Sequence, residues 1–152
     1  MILRFLLFLV INFAALGVGS LFTSKGVASG WYQNLNQAPW TPPGWVFGAA
    51  WTTIMICFSF YMMYQWEMND NKRLLIGLFS VQWILNVLWN PVFFKYHAVL
   101  PALIVIILLT ILVGYYLFRF LPELKTKSLF ILPYFLWLLI ATSLNAFIYF
   151  KN

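Results

Sequence analysis

Five long apolar stretches, separated by short polar breaks, dominate the pattern of the chain. Each is near the roughly 20 residues that a helix needs to cross a hydrocarbon layer of about 30 Å. They predict transmembrane helices over about 5–22, 44–66, 74–94, 98–120 and 129–150. The first follows Arg4 and ends among small residues (Ala14, Ala15, Gly17, Gly19, Ser20). That pattern also describes a signal peptide. The length of the run and Asn12 at its middle favour a spanning helix, on which Ala15 and Gly19 offer a small-xxx-small contact. Gly44 and Gly48 begin the second span with a GxxxG spacing, a weak signal for helix contact.

Polar positions inside the spans are few and periodic. Gln82, Asn86 and Asn90 recur every four residues in the third span and therefore share a face. Amides facing lipid tails would lose water without replacement, so this face is expected to look into a bundle. Pro91 leaves the carbonyl of Val87 without its donor and ends or kinks the helix there. Trp137, Ala141 and Asn145 repeat the spacing in the fifth span, joining an indole, a small gap and an amide on one face. The fourth span is nearly pure Leu, Ile and Val.

The longest polar stretch, about 23–43, holds Trp31-Tyr32 and then Pro39-Trp40-Thr41-Pro42-Pro43. Three prolines in five residues exclude a continuous helix. Two readings are open. Trp and Tyr favour the headgroup level, which makes the stretch an interfacial belt. A connection of this length is also often functional, which makes it a folded lid over a cavity.

Composition narrows the class. Of 152 residues, 64% are hydrophobic and 8% charged, with a mean hydropathy of +0.89. A soluble domain carries roughly 25% charged residues. A soluble globular enzyme, a disordered chain and a disulfide scaffold are excluded, and one membrane domain accounts for the length. Cys57 is alone, so no internal disulfide or thiolate metal site forms. The net charge of +6 is spread singly at the ends of the apolar runs, which suits interfacial anchoring and not nucleic acid.

With five helices, Arg4, Lys72, Arg73, Arg119, Lys125 and Lys127 fall on the N-terminal side, and Lys25, Lys95 and Lys151 on the other. In a bacterial inner membrane this bias predicts a cytoplasmic N-terminus and an outward-facing C-terminus and aromatic stretch. No Arg- and Ser-rich transit leader is present, so a prokaryotic source is expected. All three acids lie on the basic-rich side, leaving the aromatic side purely positive and mildly attractive to anions.

No acid lies inside a predicted span, which argues against a proton-coupled transporter. The single His97 has no second His or Cys near it in sequence, so neither a metal centre nor attached haem is expected. Ser and Thr in the spans lack a base, so no nucleophile is expected. What is abundant is tryptophan, eight in all, with amides nearby. Flat aromatic walls with a few polar groups suit a flat, largely apolar ligand.

Three stretches resemble the TspO/MBR family, the tryptophan-rich sensory or translocator proteins related to the peripheral-type benzodiazepine receptor. They are Trp31-Tyr32 through Pro39-Trp40, Pro42-Pro43, Phe47 and Trp51-Thr52; Gln82-Trp83, Leu85-Asn86, Trp89 and Phe93-Phe94; and Pro133-Tyr134, Trp137, Ala141-Thr142 and Leu144-Asn145. The resemblance covers essentially the whole chain in order. It implies an all-α membrane bundle of five helices with the first loop folded over a central pocket. It implies a receptor or translocator that binds porphyrins such as protoporphyrin IX and haem as ligands, with no required cofactor. Sterols and other lipids rank lower, and a regulatory membrane partner without catalysis is the alternative. By motif position, Tyr32, Pro42, Trp51, Asn86, Asn90, Trp137, Ala141 and Asn145 would line the pocket. The family links the pair Trp51 and Trp137 to light- and oxygen-dependent porphyrin breakdown. It also implies a homodimer through the third helix, which here carries Gly77 and Ser80 but no GxxxG. A sterol-type pattern is met by Leu144, Tyr149 and Lys151, and equally by Val113, Tyr115 and Arg119, so it discriminates little.

Overall fold

The computed structural model describes residues 1–152 and is entirely helical. The elements are α1 (Ile2–Val27), a one-turn α2 (Gly30–Gln33), α3 (Gly44–Met68), α4 (Lys72–Asn90), α5 (Val99–Leu124) and α6 (Leu132–Lys151). All but α2 correspond to the five helices long and apolar enough to cross a membrane, so the chain is a multi-pass membrane protein. At 1.5 Å per residue, the 26-residue α1 and α5 run about 39 Å and overshoot the hydrocarbon layer. This extension puts Glu67 and Glu123 in the last turns of α3 and α5, outside the expected helix limits.

The helices pack as a ring in the order α1, α3, α6, α5, α4 and back to α1. Without a hydrophobic force between helices in lipid, close backbone approach and interhelical hydrogen bonds hold such a ring. Asn12 on α1 donates to Ser59 on α3 at 2.9 Å, and the Trp83 indole on α4 donates to the carbonyl of Ile11 at 3.0 Å. Gln82 donates to the Tyr134 hydroxyl at 2.8 Å, joining α4 to α6. The Tyr61 hydroxyl donates to the Tyr116 carbonyl at 2.9 Å, and Thr110 meets Thr142 at 3.0 Å. Each bond of this kind contributes about 0.6 kcal/mol on average.

Small residues set the α1–α4 contact. Ala15, Gly19 and Gly26 are buried, and a Cβ on Gly19 would lie 2.7 Å from the Asn90 amide. A Cβ on Gly26 would overlap the Phe94 side chain. The GxxxG of α3 serves no such purpose: nothing lies within 4 Å of a Cβ built on Gly44 or Gly48. Pro91 ends the α-helical part of α4, and residues Pro91–Lys95 continue as one π-helical turn. That wider turn carries Phe93 and Phe94, both buried. A sharp reversal follows, with His97 at a φ of 54°, and α5 starts at Val99.

The core fills the end of the bundle away from α2. Phe58, Tyr61, Tyr116, Phe120 and Tyr134 are almost wholly buried there, in contact at centroid distances of 5.3–6.2 Å, with Phe58 parallel to Tyr61 and edge-on to Tyr116 and Tyr134. The same end holds the Arg4–Glu67 ion pair and a short 3-10 segment, Lys125–Phe130, that connects α5 to α6.

Candidate functional site

The 23–43 stretch is partly helical and folded. α1 continues through Thr23–Val27, which the sequence pattern placed in the loop. Ser29 then caps α2, its hydroxyl accepting the Tyr32 amide at 3.3 Å, as short polar side chains do at helix starts. From Leu35 the chain runs in turns and extended segments to Pro43, where α3 begins. Three latches fix this segment over the end of the bundle. Trp31 stacks flat on His97 with centroids 4.0 Å apart and meets the edge of Phe93. The Asn36 amide N–H donates to the Asn152 side chain at 2.8 Å. The Trp40 indole donates to Ser143 at 3.1 Å while its ring meets Phe147 edge-on. Ala38, 5% exposed, plugs the middle. The segment is thus a folded lid, while Trp40 itself, 54% exposed, keeps the belt character as well.

Beneath the lid lies a cavity of about 640 Å³. Its walls come from α1, the lid, α3, α4 with its π turn, α5 and α6. Seven of the eight residues singled out by motif position border it: Tyr32, Pro42, Trp51, Asn86, Trp137, Ala141 and Asn145. Asn90 does not. Its amide donates to the Asn86 carbonyl at 3.1 Å, and its oxygen accepts the Thr23 hydroxyl at 2.7 Å, bracing α4 on α1 against Gly19. The amide face therefore divides its labour: Gln82 holds Tyr134, Asn86 faces the cavity and Asn90 holds α1.

Several wall residues carry no pocket assignment from the sequence: Phe47, Trp89, Phe93 and Phe94, which lie within the motif stretches, and Thr23 and Leu109, which lie outside them. Phe93 and Phe94 reach the wall because of the π turn, which a proline at Pro91 announces but does not define. Phe47 meets Trp137 edge-on at 5.4 Å, and Trp89 lies parallel to Phe93 at 5.2 Å.

The wall holds polar atoms that the protein leaves unpaired, as it also leaves the Tyr116 hydroxyl and Gln82 Oε1. Both polar atoms of the Asn145 side chain are buried without a hydrogen-bond partner, and so are the indole nitrogens of Trp89 and Trp137. Leaving a buried polar group unpaired costs about 1–3 kcal/mol. Two N–H donors and one amide, a donor and acceptor together, are held unspent in residues that line a mainly apolar chamber. Tyr32 belongs to the lid, and partial burial pushes its phenol above the ordinary tyrosine value. The walls contain no His, Cys, Asp or Glu, and no such cluster able to hold a metal ion occurs in the protein.

A ring of five membrane helices with an indole- and amide-lined chamber under a proline-rich lid defines a multi-pass membrane protein with an internal chamber. The pattern of the TspO/MBR family matches residues 6–150, and the chain belongs to that family. It is 36% identical over 147 residues to the tryptophan-rich protein TspO of Archaeoglobus fulgidus, covering 95% of this chain and 91% of that one. It is 32% identical to the tryptophan-rich sensory protein of Cereibacter sphaeroides over 76% of this chain and 72% of the relative. The human translocator protein is 27% identical over 84% of this chain and 78% of its own length.

Proposed function

We propose that the chamber binds a planar tetrapyrrole of the protoporphyrin IX class. One observation carries this reading: a 640 Å³ space is walled mainly by aromatic and aliphatic side chains, and three of its lining residues, Trp89, Trp137 and Asn145, carry buried polar atoms without partners. The volume lies within the roughly 300–1,000 Å³ of small-molecule sites. A flat ring with a polar centre and edge uses both features. Trp51 and Trp137 are the aromatic walls, Ala141 is the gap between them, Asn86 and Asn145 are the polar contacts, and Tyr32 and Pro42 close the lid. Asn90 supports the wall from behind. Lys25, Lys95 and Lys151 at the lid end, with no acid among them, favour a guest with carboxylate substituents. Among the residues that hold haem iron elsewhere, the wall offers only Tyr32, kept neutral by its burial. Haem and the metal-free ring should therefore bind through the macrocycle with similar affinity.

The test is titration of protein in lipid nanodiscs with protoporphyrin IX, haem and a sterol, followed by quenching of tryptophan emission. Porphyrin and haem quench, and Trp137→Ala and Tyr32→Ala weaken binding by tenfold or more, about 1.4 kcal/mol each. Unchanged quenching in both variants would refute the site. A sterol is disfavoured as the guest of its sequence pattern, since Leu144 borders the chamber while Tyr149 and Lys151 face outward.

A second reading, breakdown of the bound ring under light and oxygen, rests on Trp51 and Trp137 bordering the same chamber. Turnover of many rings per protein without loss of Trp51 identifies an enzyme; consumption of indole in proportion to ring identifies a sacrificial binder. The homodimer is assigned to the outward strip Ile76, Ser80, Ile84 and Leu88 of α4, and cysteine cross-linking at Ser80 tests it. The N-terminus is assigned to the cytoplasm from the basic bias, tested by labelling cysteines placed at either end.

A further inference from the structure

The end of the bundle opposite the lid carries a second recess. It measures about 400 Å³ and lies between the last turns of α5 and the first residue of α6, bordered by Leu117, Leu121, Lys125, Ser128, Leu129 and Leu132. Three observations distinguish it from an ordinary groove between helices. Ser128 is 3% exposed and its hydroxyl has no hydrogen-bond partner, although it borders the recess. Lys125, on the rim, is held at a φ of 50°, a left-handed conformation that a lysine adopts at a cost. Its ammonium also has no carboxylate partner, whereas Arg119 pairs with Glu123 at 3.1 Å, and Arg4 pairs with Glu67. The remaining cations of this end are also engaged or distant: Lys127 lies over the Tyr64 ring at 4.7 Å, and Lys72 bonds the carbonyls of Trp66 and Asn69.

Lys125 and Ser128 border one recess, so an unpaired buried hydroxyl and an ammonium without a carboxylate partner are both available to a phosphate group there. The walls then choose between sources of phosphate. Leu121 and Leu129 border the recess and are 45% and 64% exposed. They offer an apolar track with no use for a free ion. The start of α6 faces the same recess, adding the positive end of a 20-residue helix. We propose that this recess binds the phosphate of an anionic phospholipid, with Lys125 and Ser128 on the headgroup and an acyl chain along Leu121 and Leu129. The positive excess of this end, six Lys and Arg against three acids, draws such lipids toward it. The site is separate from the chamber under the lid and does not depend on what that chamber holds.

The experiment is native mass spectrometry of the purified protein equilibrated with equal amounts of phosphatidylglycerol and phosphatidylcholine. The wild type is expected to retain one phosphatidylglycerol in preference to phosphatidylcholine. Lys125→Gln and Ser128→Ala should each lower that retention about fivefold or more, while Arg73→Gln, which removes the same charge elsewhere on this end, leaves it unchanged. Lys125→Gly relieves the backbone conformation and should lose retention like Lys125→Gln, which separates the charge from folding. Equal losses in Arg73→Gln and Lys125→Gln would overturn the proposal in favour of diffuse attraction. Equal retention of both lipids, or displacement of the lipid by inorganic phosphate at matching concentration, would also overturn it.

Discussion

Away from the lid, Phe58, Tyr61, Tyr116 and Tyr134 fill the bundle to less than 2% exposure. Toward the lid, Trp51, Trp89, Trp137 and Phe93 surround a space of about 640 Å³. Both halves are aromatic, and both are built from the same helices. The difference lies in packing and in the hydrogen bonds that cross between helices. In the solid half, the Tyr61 hydroxyl is spent on the Tyr116 carbonyl, and the Gln82 amide on Tyr134. In the hollow half, Asn145 and two indoles are left unspent. Unpaired polar atoms occur in both halves, since the Tyr116 hydroxyl and the Gln82 Oε1 are also buried without partners, so what sets the hollow half apart is the open space its walls enclose.

The largest expected effect breaks the solid half. Phe58→Ala removes a fully buried ring that meets Tyr61, Tyr116 and Tyr134, and should lower stability by about 3–5 kcal/mol. Trp51→Ala, on the chamber wall, should cost clearly less, because one side of that ring already faces open space. Thermal unfolding in one detergent compares the two, and equal losses would erase the distinction between the halves.

Next comes the α1–α4 seam that both halves share. Gly26→Ala drives a methyl into the Phe94 side chain and should destabilise by about 1–3 kcal/mol, with a loss of porphyrin binding because Phe94 is part of the wall. The same measurement on Gly48→Ala, where nothing lies within 4 Å, should show no destabilisation.

Asn145→Leu sharpens the comparison from the other side. It removes two buried unpaired polar atoms at similar volume, so stability should rise by about 1–2 kcal/mol while porphyrin affinity falls about tenfold. A variant that loses stability instead would mean that Asn145 is a structural residue.

The smallest effects concern the lid. Asn36→Ala removes a latch to Asn152 and should speed porphyrin release several-fold with little change in melting temperature, read by stopped-flow quenching. Tyr32 provides a pH check. Its proton affinity is raised by burial, so the neutral lid is fully favoured below the ordinary tyrosine value, about 10, and is weakened as pH climbs above it. Binding should therefore be flat from about pH 6 to about pH 9 and decline beyond.

Most of this architecture can be read from the chain because lipid imposes strong constraints. Runs of apolar residues announce the spans, and an amide every fourth residue marks an inward face. Gly44 as the start of α3 follows from the prolines before it. The failures occur where local rules compete. Thr23–Val27 is polar enough to read as loop, yet it continues α1, its Thr23 and Ser24 hydroxyls bonded to carbonyls one turn back and Gly26 packed against Phe94. Ser29 starts a single turn too short for any period to register. Pro91 signals a break, but whether the chain stops or widens into a π turn depends on the packing of Phe93 and Phe94. Asn86 and Asn90 share a face, and only the position of α1 decides that one borders the chamber and the other holds Thr23.

The hollow itself is the claim on which the functional reading stands, and Ala141→Phe tests it most directly. Ala141 borders the chamber, and a phenyl ring there would occupy the space between the indole walls. In nanodiscs, quenching of tryptophan emission by protoporphyrin IX should weaken at least tenfold in this variant, with the melting temperature unchanged or raised. Undiminished quenching in a folded Ala141→Phe protein would contradict it, since the porphyrin would then bind somewhere other than the chamber.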